Sequence, residues 1–135
     1  MVPVLIDSNV LLDLMTVDSE WYARSAAALA RAADNSRVVI NAVIYAEVSV
    51  RYSRIEDVED ALPKALIDRE AIPYEAGFLA GKAFLAYRRR GGDKRSPLPG
   101  FLIGAHAAVA GYRLLTRDVA RYRTYFPRLE LIAPD

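Results

Sequence analysis

The chain has 135 residues, of which 53% are hydrophobic and 26% are charged. This length favours one domain with a real core, and the composition is that of an ordinary globular protein. The absence of cysteine excludes disulfides, thiol catalysis and cysteine-based zinc sites, and the single histidine excludes a multi-histidine metal site within one chain. No apolar run is long enough to cross a membrane and the first residues do not resemble a signal peptide, so we expect a cytoplasmic protein without membrane contact. The net charge of +1 says little about partners, and the distribution of the charges says more.

The first two elements meet at an acid. Residues 4–6 are apolar and typical of a short buried strand, and Asp7 follows them directly. Ser8 or Asn9 suits the start of a helix. Ligands of open α/β sheets bind outside the carboxyl ends of the strands, which makes Asp7 a candidate site residue. The alternative is that Asp7 only caps a helix or forms a turn.

A second strand–helix unit follows. A helix that starts at Asp18 or Ser19 leads to a second buried strand over residues 38–40. Asn41 is predicted to cap a third helix, over residues 42–53. That helix carries apolar residues on nearly every side, so we expect it to be buried.

Glu47 is the unusual residue of this third helix. A buried carboxylate without a partner costs several kcal/mol, so a cation, a basic residue or a metal should compensate it. The alternative is an ordinary ion pair with Arg51, one helical turn further on.

Residues 56–70 combine a solvated acidic surface, to which we assign no chemistry, with apolar positions that we expect to point inward. These positions are Val58, Leu62, Leu66 and Ile67. A long helix is then predicted from Tyr74 to Arg90.

Basic residues collect at the end of this long helix. They are Arg88, Arg89, Arg90, Lys94 and Arg95. A cluster of this kind is a candidate RNA-binding patch that contacts phosphates. The alternative is a helix end that is merely capped and solvated, since basic residues are favourable there.

The last third of the chain repeats the pattern of a strand that ends at an acid. A buried helix over residues 100–110 is closed by Gly111, and a strand over residues 112–116 leads to Asp118. Asp118 is either a cap of the short helix 119–125 or a site residue, or both. A final edge strand is expected over residues 129–132.

Strands alternate with helices throughout, which predicts an α/β fold with a parallel sheet of four to five strands flanked by helices on both faces. Residues 1–135 are expected to form a single domain.

Asp7, Glu47 and Asp118 all reach the same crevice in such a fold, and converging carboxylates repel one another unless a cation neutralises them. Oxygen ligands alone indicate Mg²⁺ or Mn²⁺, ions that activate water and stabilise a phosphodiester undergoing cleavage. His106 has no second histidine beside it and is expected to be structural.

Four motifs in this order and at this spacing resemble the PIN domain, specifically the VapC-type toxins of bacterial toxin–antitoxin pairs. They are Ile6-Asp7-Ser8-Asn9, Ala46-Glu47, residues 101–107 (FLIGAHA) and Leu115-Thr116-Arg117-Asp118. The resemblance covers essentially the whole chain. It implies a metal-dependent endoribonuclease that cleaves RNA, usually forms a homodimer and is held inactive by a cognate antitoxin protein.

The resemblance assigns roles to particular residues and exposes one departure. Asp7, Glu47 and Asp118 correspond to the catalytic acids, Asp7 and Asp118 to metal ligands, and Thr116 to a polar neighbour. The family usually has an acid directly before the residue that is Phe101 here, but this chain has Gly100.

Glycine inside a helix costs about 1 kcal/mol relative to alanine, and an acid in the first turn would be favoured, so Gly100 is unexpected on physical grounds as well. We interpret it as an inactivating substitution or as a mark of a naturally degenerate nuclease.

Other functions fit less well. A non-catalytic PIN-like module that binds RNA or protein is the main alternative, and Gly100 favours it. A phosphatase of the haloacid dehalogenase type would require a second aspartate at the position of Asn9. A receiver domain would carry its phosphorylated aspartate much deeper in the chain than Asp7.

Overall fold

A computed structural model describes residues 1–17, 19–92 and 97–135 of the chain. Five strands form one parallel sheet in the order β3-β2-β1-β4-β5. The strands are β1 (Val4–Ile6), β2 (Val38–Ile40), β3 (Asp68–Arg69), β4 (Arg113–Leu115) and β5 (Leu131–Ile132). The predicted parallel α/β sheet is therefore confirmed, with β1 at its centre.

Seven helices lie in the described part of the chain. They are α1 (Ser8–Leu14), α2 (Tyr22–Asn35), α3 (Ala42–Ser49), α4 (Ile55–Ala61), α5 (Tyr74–Arg89), α6 (Leu98–Ala110) and α7 (Val119–Tyr125). Helix α1 packs against α2 and α3, and α5 packs along α6. Because connections between parallel strands are almost always right-handed, this strand order implies that α1–α4 cover one face of the sheet and α5–α7 the other. In the described part of the chain, no helix is both long and apolar enough to cross a membrane.

The centre of the sheet is completely buried. Every residue of β1 is 0% exposed, and Ile40 of β2 and Leu115 of β4 are buried in the same way. Short apolar strands are expected to be covered on both faces in a parallel sheet, which agrees with the helices on either side. The rigid sheet fixes the positions of the residues that directly follow its strands.

Two local predictions are confirmed by capping geometry. The Asn41 side chain accepts a hydrogen bond from the backbone N–H of Ile44 at 3.0 Å, as an N-cap should. Gly111 ends α6 in the left-handed conformation, with φ of 73°, where a side chain would be strained.

Several expectations about the second and third helices are wrong. Helix α2 begins at Tyr22 and not at Ser19, while the alternative cap Asp18 lies outside the described residues. Helix α3 is not buried on every side, because only Ile44 and Val48 are buried and Val50, which follows its end, is 85% exposed. An apolar residue on this helix is thus no guide to which side faces the core.

The segment between α4 and α5 also differs from the prediction. Val58, Leu62 and Ile67 are buried as expected, but Leu66 is 73% exposed. Asp68 and Arg69 form an edge strand that no apolar pattern indicated. Charged residues are tolerated there because the outer side of an edge strand faces solvent.

Candidate functional site

The candidate site lies where two neighbouring strands end. Strands β1 and β4 are hydrogen-bonded neighbours, and the chain order runs in opposite directions on either side of this pair. Such a switch in strand order opens a crevice at the carboxyl ends of the strands, where ligands of α/β sheets bind. Asp7 follows β1 and Thr116 follows β4, so both residues lie at this crevice.

Asp7 is a buried acid held by hydroxyl groups. Its side chain is 5% exposed, and its Oδ2 accepts hydrogen bonds from Thr116 Oγ1 at 2.7 Å and from Tyr122 OH at 3.1 Å. Burial raises the pKa of Asp7, the two hydroxyl groups oppose this shift, and the negative charge of Asp118 adds to it. The carboxylate is therefore pre-oriented, and no described residue forms an ion pair with it.

Glu47 reaches the same crevice from α3. Its Oε1 accepts a hydrogen bond from Ser8 Oγ at 2.7 Å, and the same hydroxyl lies 3.5 Å from Asp7 Oδ1. Burial raises the pKa of Glu47, the Ser8 hydroxyl opposes the shift, and the charge of Asp7 reinforces it. The alternative ion pair within the helix is not formed, because Arg51 donates to Thr16 Oγ1 instead.

Asp118 sits at the first residue before α7 and is oriented from two sides. Its backbone N–H donates to Thr116 Oγ1 at 3.0 Å, while its Oδ2 lies 3.3 Å from Arg121 Nε. Asp118 makes no side-chain capping bond to its own helix. The carboxylate of Asp118 therefore does not serve as a helix cap.

These residues surround one cavity of about 460 Å³. Its lining includes Asp7, Glu47, Asp118 and Gly100, together with Arg121. The three predicted acids and the position of the missing acid therefore meet at one edge of the sheet, as their places in the sequence led us to expect.

Gly100 lies in the first turn of α6 without any conformational need for glycine. Among the described residues, only Gly91 and Gly111 have a positive φ. A β-carbon built on Gly100 would lie 3.0 Å from Arg121 Nη1 and 3.7 Å from the hydroxyl oxygen of Tyr122. Close packing against a neighbouring strand therefore does not explain this glycine, because its nearest neighbours are side chains of α7.

The basic patch borders this cavity. Arg88, Arg89 and Arg90 are exposed at the end of α5, and Tyr87 of the same turn lines the cavity. The guanidinium of Arg90 lies 5.5 Å from the ring centre of Tyr125, which orders it over an aromatic face. Lys94 and Arg95, the other predicted members, lie outside the described residues, and so does Asp93.

Sequence reasoning missed three residues of this site. The Tyr122 hydroxyl lies 3.1 Å from Asp7 Oδ2 and 3.2 Å from the carbonyl oxygen of Gly100, so its one proton is shared between two acceptors, and Arg121 pairs with Asp118. The signal was their spacing from Asp118, because residues three and four positions along a helix share its face. Ser8 was considered only as a helix start, although its hydroxyl connects two acids.

The sequence profile of the PIN domain family matches residues 4–127, nearly the whole chain. The chain belongs to the PIN domain family. A comparison with curated protein sequences gave no significant match. PIN domains are generally nucleases that use divalent metal ions.

The chain also matches solved structures in fold, among them the following three. The crystal structure of VapBC2 from Rickettsia felis bound to a promoter DNA fragment matches with 17% identity and a TM-score of 0.72, over 98% of this chain and 99% of that chain. VapBC-1 from nontypeable Haemophilus influenzae matches with 18% identity and a TM-score of 0.73, over 97% of each chain. A toxin–antitoxin complex from Klebsiella pneumoniae matches with 19% identity and a TM-score of 0.69, over 98% of each chain. At such identities the likeness establishes the fold alone.

His106 of the PIN domain is buried away from the acids. It is 1% exposed, and its Nδ1 lies 3.0 Å from Asn41 Nδ2. Burial lowers its pKa, while the charge of Glu70 opposes that shift. These contacts connect α6 with the end of β2, which agrees with the structural role expected of this histidine.

The donor set of the PIN domain suits a loosely held ion. Carboxylate oxygens are what Mg²⁺ and Mn²⁺ prefer, and Mg²⁺ binds one or two carboxylates and completes its shell with water. Within residues 1–17, 19–92 and 97–135, no group of three acidic, histidine or cysteine side chains is arranged to hold a metal ion. Two acids with raised pKa values nevertheless leave unneutralised charge in the cavity, which a cation would relieve.

Proposed function

We propose that this PIN domain is an endoribonuclease toxin of a toxin–antitoxin pair, with residues 1–135 acting as one domain. The observation that carries the proposal is the convergence of Asp7, Glu47 and Asp118 on one cavity at the switch point of the sheet. Three carboxylates that converge in one cavity repel one another, which costs free energy. Groups perturbed in this way are concentrated at functional sites. We further propose that RNA is the substrate and the cytoplasm the compartment.

The proposed roles follow from the contacts of each acid. Asp7 and Asp118 would hold Mg²⁺ or Mn²⁺, which when bound would activate water and stabilise the charge on the phosphodiester. Thr116 orients both residues, since its hydroxyl donates to Asp7 and accepts from the Asp118 N–H. Glu47 is the candidate proton acceptor, because burial raises its pKa and its second oxygen is not used by Ser8.

We propose that activity of this chain is weakened by Gly100. A carboxylate there would stand in the first turn of α6, at the wall of the cavity. Its loss would loosen the position of the ion and of the attacking water, and a misplacement of about 1 Å can cost on the order of a hundredfold in rate. The affinity for the ion should depend less on an acid at position 100 than the rate does, because Asp7 and Asp118 remain as ligands.

The decisive experiment is metal-dependent cleavage of a mixed RNA pool by four proteins. They are the present chain, Gly100→Asp, Asp7→Asn and the combination of both changes. We expect poor cleavage by the present chain, an increase on the order of a hundredfold in Gly100→Asp, and its loss when Asp7→Asn is added. Circular dichroism of each protein verifies that it is folded.

Gly81→Asp is the matched control, because it adds the same acid to the exposed side of α5, where no atom lies within 4 Å of the new β-carbon. It should leave cleavage unchanged. A folded Gly100→Asp that remains inert across the pool would refute the weakened nuclease and favour the alternative, a non-catalytic module that binds RNA or protein.

We also propose a homodimer and a cognate antitoxin as partners. Two of the similar structures are VapBC complexes and a third is described as a toxin–antitoxin complex. We expect α3 and α4 to contact partners. Val50, just after the end of α3, is 85% exposed, and Ile55, the first residue of α4, is 64% exposed. Large apolar side chains left exposed are candidates for an interface with a partner. A basic segment of an antitoxin would complement the acidic cavity.

A further inference from the structure

Among the described residues that line the acidic cavity there is one cation, and the proposed nuclease mechanism gives it no role. Arg121 lines the cavity, and its Nε lies 3.3 Å from Asp118 Oδ2. Its side chain is 40% exposed, so it remains in contact with solvent. Its positive charge lowers the pKa of Glu47, while burial, the larger effect, raises it.

The outer end of Arg121 faces the space left by Gly100. A β-carbon at position 100 would lie 3.0 Å from Nη1, so any side chain there would meet the guanidinium first. The ion pair with Asp118 uses Nε. In the part of the chain that the structure describes, Nη1 and Nη2 make no hydrogen bond, and these two groups are therefore available to a ligand.

A guanidinium with two free N–H groups is suited to an anion with two oxygens. Arginine binds phosphate through two parallel hydrogen bonds, and it does so more specifically than lysine. A phosphodiester that approaches Asp7, Glu47 and Asp118 is repelled by three carboxylates unless a cation meets it. The exposed arginines at the end of α5 would guide the same strand, since Tyr87 of that helix borders the cavity.

We propose that Arg121 is a phosphate-binding residue of this cavity, and that one phosphate of single-stranded RNA occupies the space beside Gly100 without requiring a metal ion. The inference rests on the proposed function, because it takes RNA as the ligand. It adds that binding and cleavage depend on different groups. An acid at position 100 would compete with the phosphate for Arg121.

The test is fluorescence anisotropy with a short, fluorescein-labelled single-stranded RNA of mixed sequence, in buffer containing a chelator. Arg121→Gln is expected to bind about tenfold more weakly than the present chain, and the dependence of log K on log salt should become shallower by about 0.7. The affinity of Arg121→Lys should lie between those of the present chain and Arg121→Gln, because lysine retains the charge but not the paired N–H donors of the guanidinium. Arg123→Gln is the matched control, since Arg123 is exposed on the same helix and does not line the cavity.

The coupling to residue 100 is tested in the same assay. Gly100→Asp is expected to weaken metal-free RNA binding, and Arg121→Gln added to it should change the affinity by less than about twofold. An undiminished tenfold effect in that background would overturn the coupling.

Equal binding by Arg121→Gln and Arg123→Gln would overturn the inference alone, because RNA would still be bound. If the present chain binds no RNA, both the inference and the proposed RNA substrate fail. Melting curves of all variants verify that the substitutions leave the fold intact.

Discussion

Replacing Asp7 by asparagine should make the protein more stable at neutral pH. The carboxylate is 5% exposed and has no cation as partner in the described structure, whereas its neighbours Asp118 and Glu47 are acids. Its two short side-chain hydrogen bonds both end on Oδ2, which also lies 3.4 Å from Asn9 Nδ2, while Oδ1 lies 3.5 Å from Ser8 Oγ and the backbone N–H of Ser8 also bonds to the carboxylate. An asparagine can keep its carbonyl oxygen at the Oδ2 position and place its NH₂ group at the other. The substitution therefore removes the charge and keeps both strong bonds.

The expected gain is about 0.5–2 kcal/mol, the range common for a single stabilising substitution. For a domain of this size, 1 kcal/mol corresponds to about 4 °C in Tm. A rise of about 2–8 °C is therefore expected, which is well above the error of a melting experiment. Loss of both hydroxyl bonds would instead lower the stability by a similar amount, so the sign of the change is informative.

The gain should depend on pH, and its sign follows from the direction of the pKa shift. Burial raises the pKa of Asp7 above its ordinary value of 3.8, so the folded protein keeps a proton that the unfolded chain releases. Stability of the present chain must then fall as the pH rises from about 3.8 through the raised pKa. Glu47 contributes in the same direction, starting from 4.5. The advantage of Asp7→Asn should be full above this window and absent below it.

The assay is thermal unfolding across this pH range, in buffer with a chelator. Asp13→Asn is the matched control, because Asp13 is also buried but has a cation, with its Oδ2 2.9 Å from Arg117 Nε and 2.6 Å from Ser25 Oγ. That variant should lose about 1–3 kcal/mol at neutral pH. Destabilisation by Asp7→Asn at neutral pH, or a gain that does not change with pH, would refute the account of Asp7 as an uncompensated charge.

Three further predictions concern partners. Replacing Arg88 and Arg89 by glutamate should weaken RNA binding and flatten its salt dependence, and an unchanged slope would mean that the patch only keeps the helix end solvated. Light scattering should find a dimer that Val50→Glu converts to a monomer, and calorimetry should detect an arginine-rich peptide bound at the acidic cavity. A monomeric protein at high concentration, or a peptide that binds Asp7→Asn equally well, would contradict these expectations.

The sequence predicted the site well where the backbone decides the position. Asp7 and Asp118 follow strands, and parallel strands in a sheet end at one edge, so the two acids could be brought together without side-chain information. The short helix 119–125 and the cap at Asn41 were also correct, because local hydrogen bonding determines them. The roles assigned to the acids remain predictions.

The sequence did not predict hydrogen-bond partners where a side chain had several within reach. Glu47 and Arg51 are one turn apart, yet Glu47 accepts from Ser8 and Arg51 donates to Thr16. Helical spacing permits the pair but does not enforce it, and an exposed pair contributes little free energy. The third helix was expected to be buried because it is apolar on nearly every side, yet Val50 just after its end is 85% exposed, since apolar character alone does not say which side faces the core.

Helix α7 links position 100 to the acids of the cavity. Tyr122 joins the Asp7 carboxylate to the carbonyl oxygen of Gly100, and Arg121 extends to the same residue from the other side. A carboxylate at position 100 would therefore be held by the side chains that already orient the other acids. Without it, the hydroxyl of Tyr122 still orients Asp7, but the guanidinium of Arg121 faces open space. In the proposed binding mode, the Nη groups of Arg121, whose Nε pairs with Asp118, would contact a phosphate at the place where an acid at position 100 would otherwise lie.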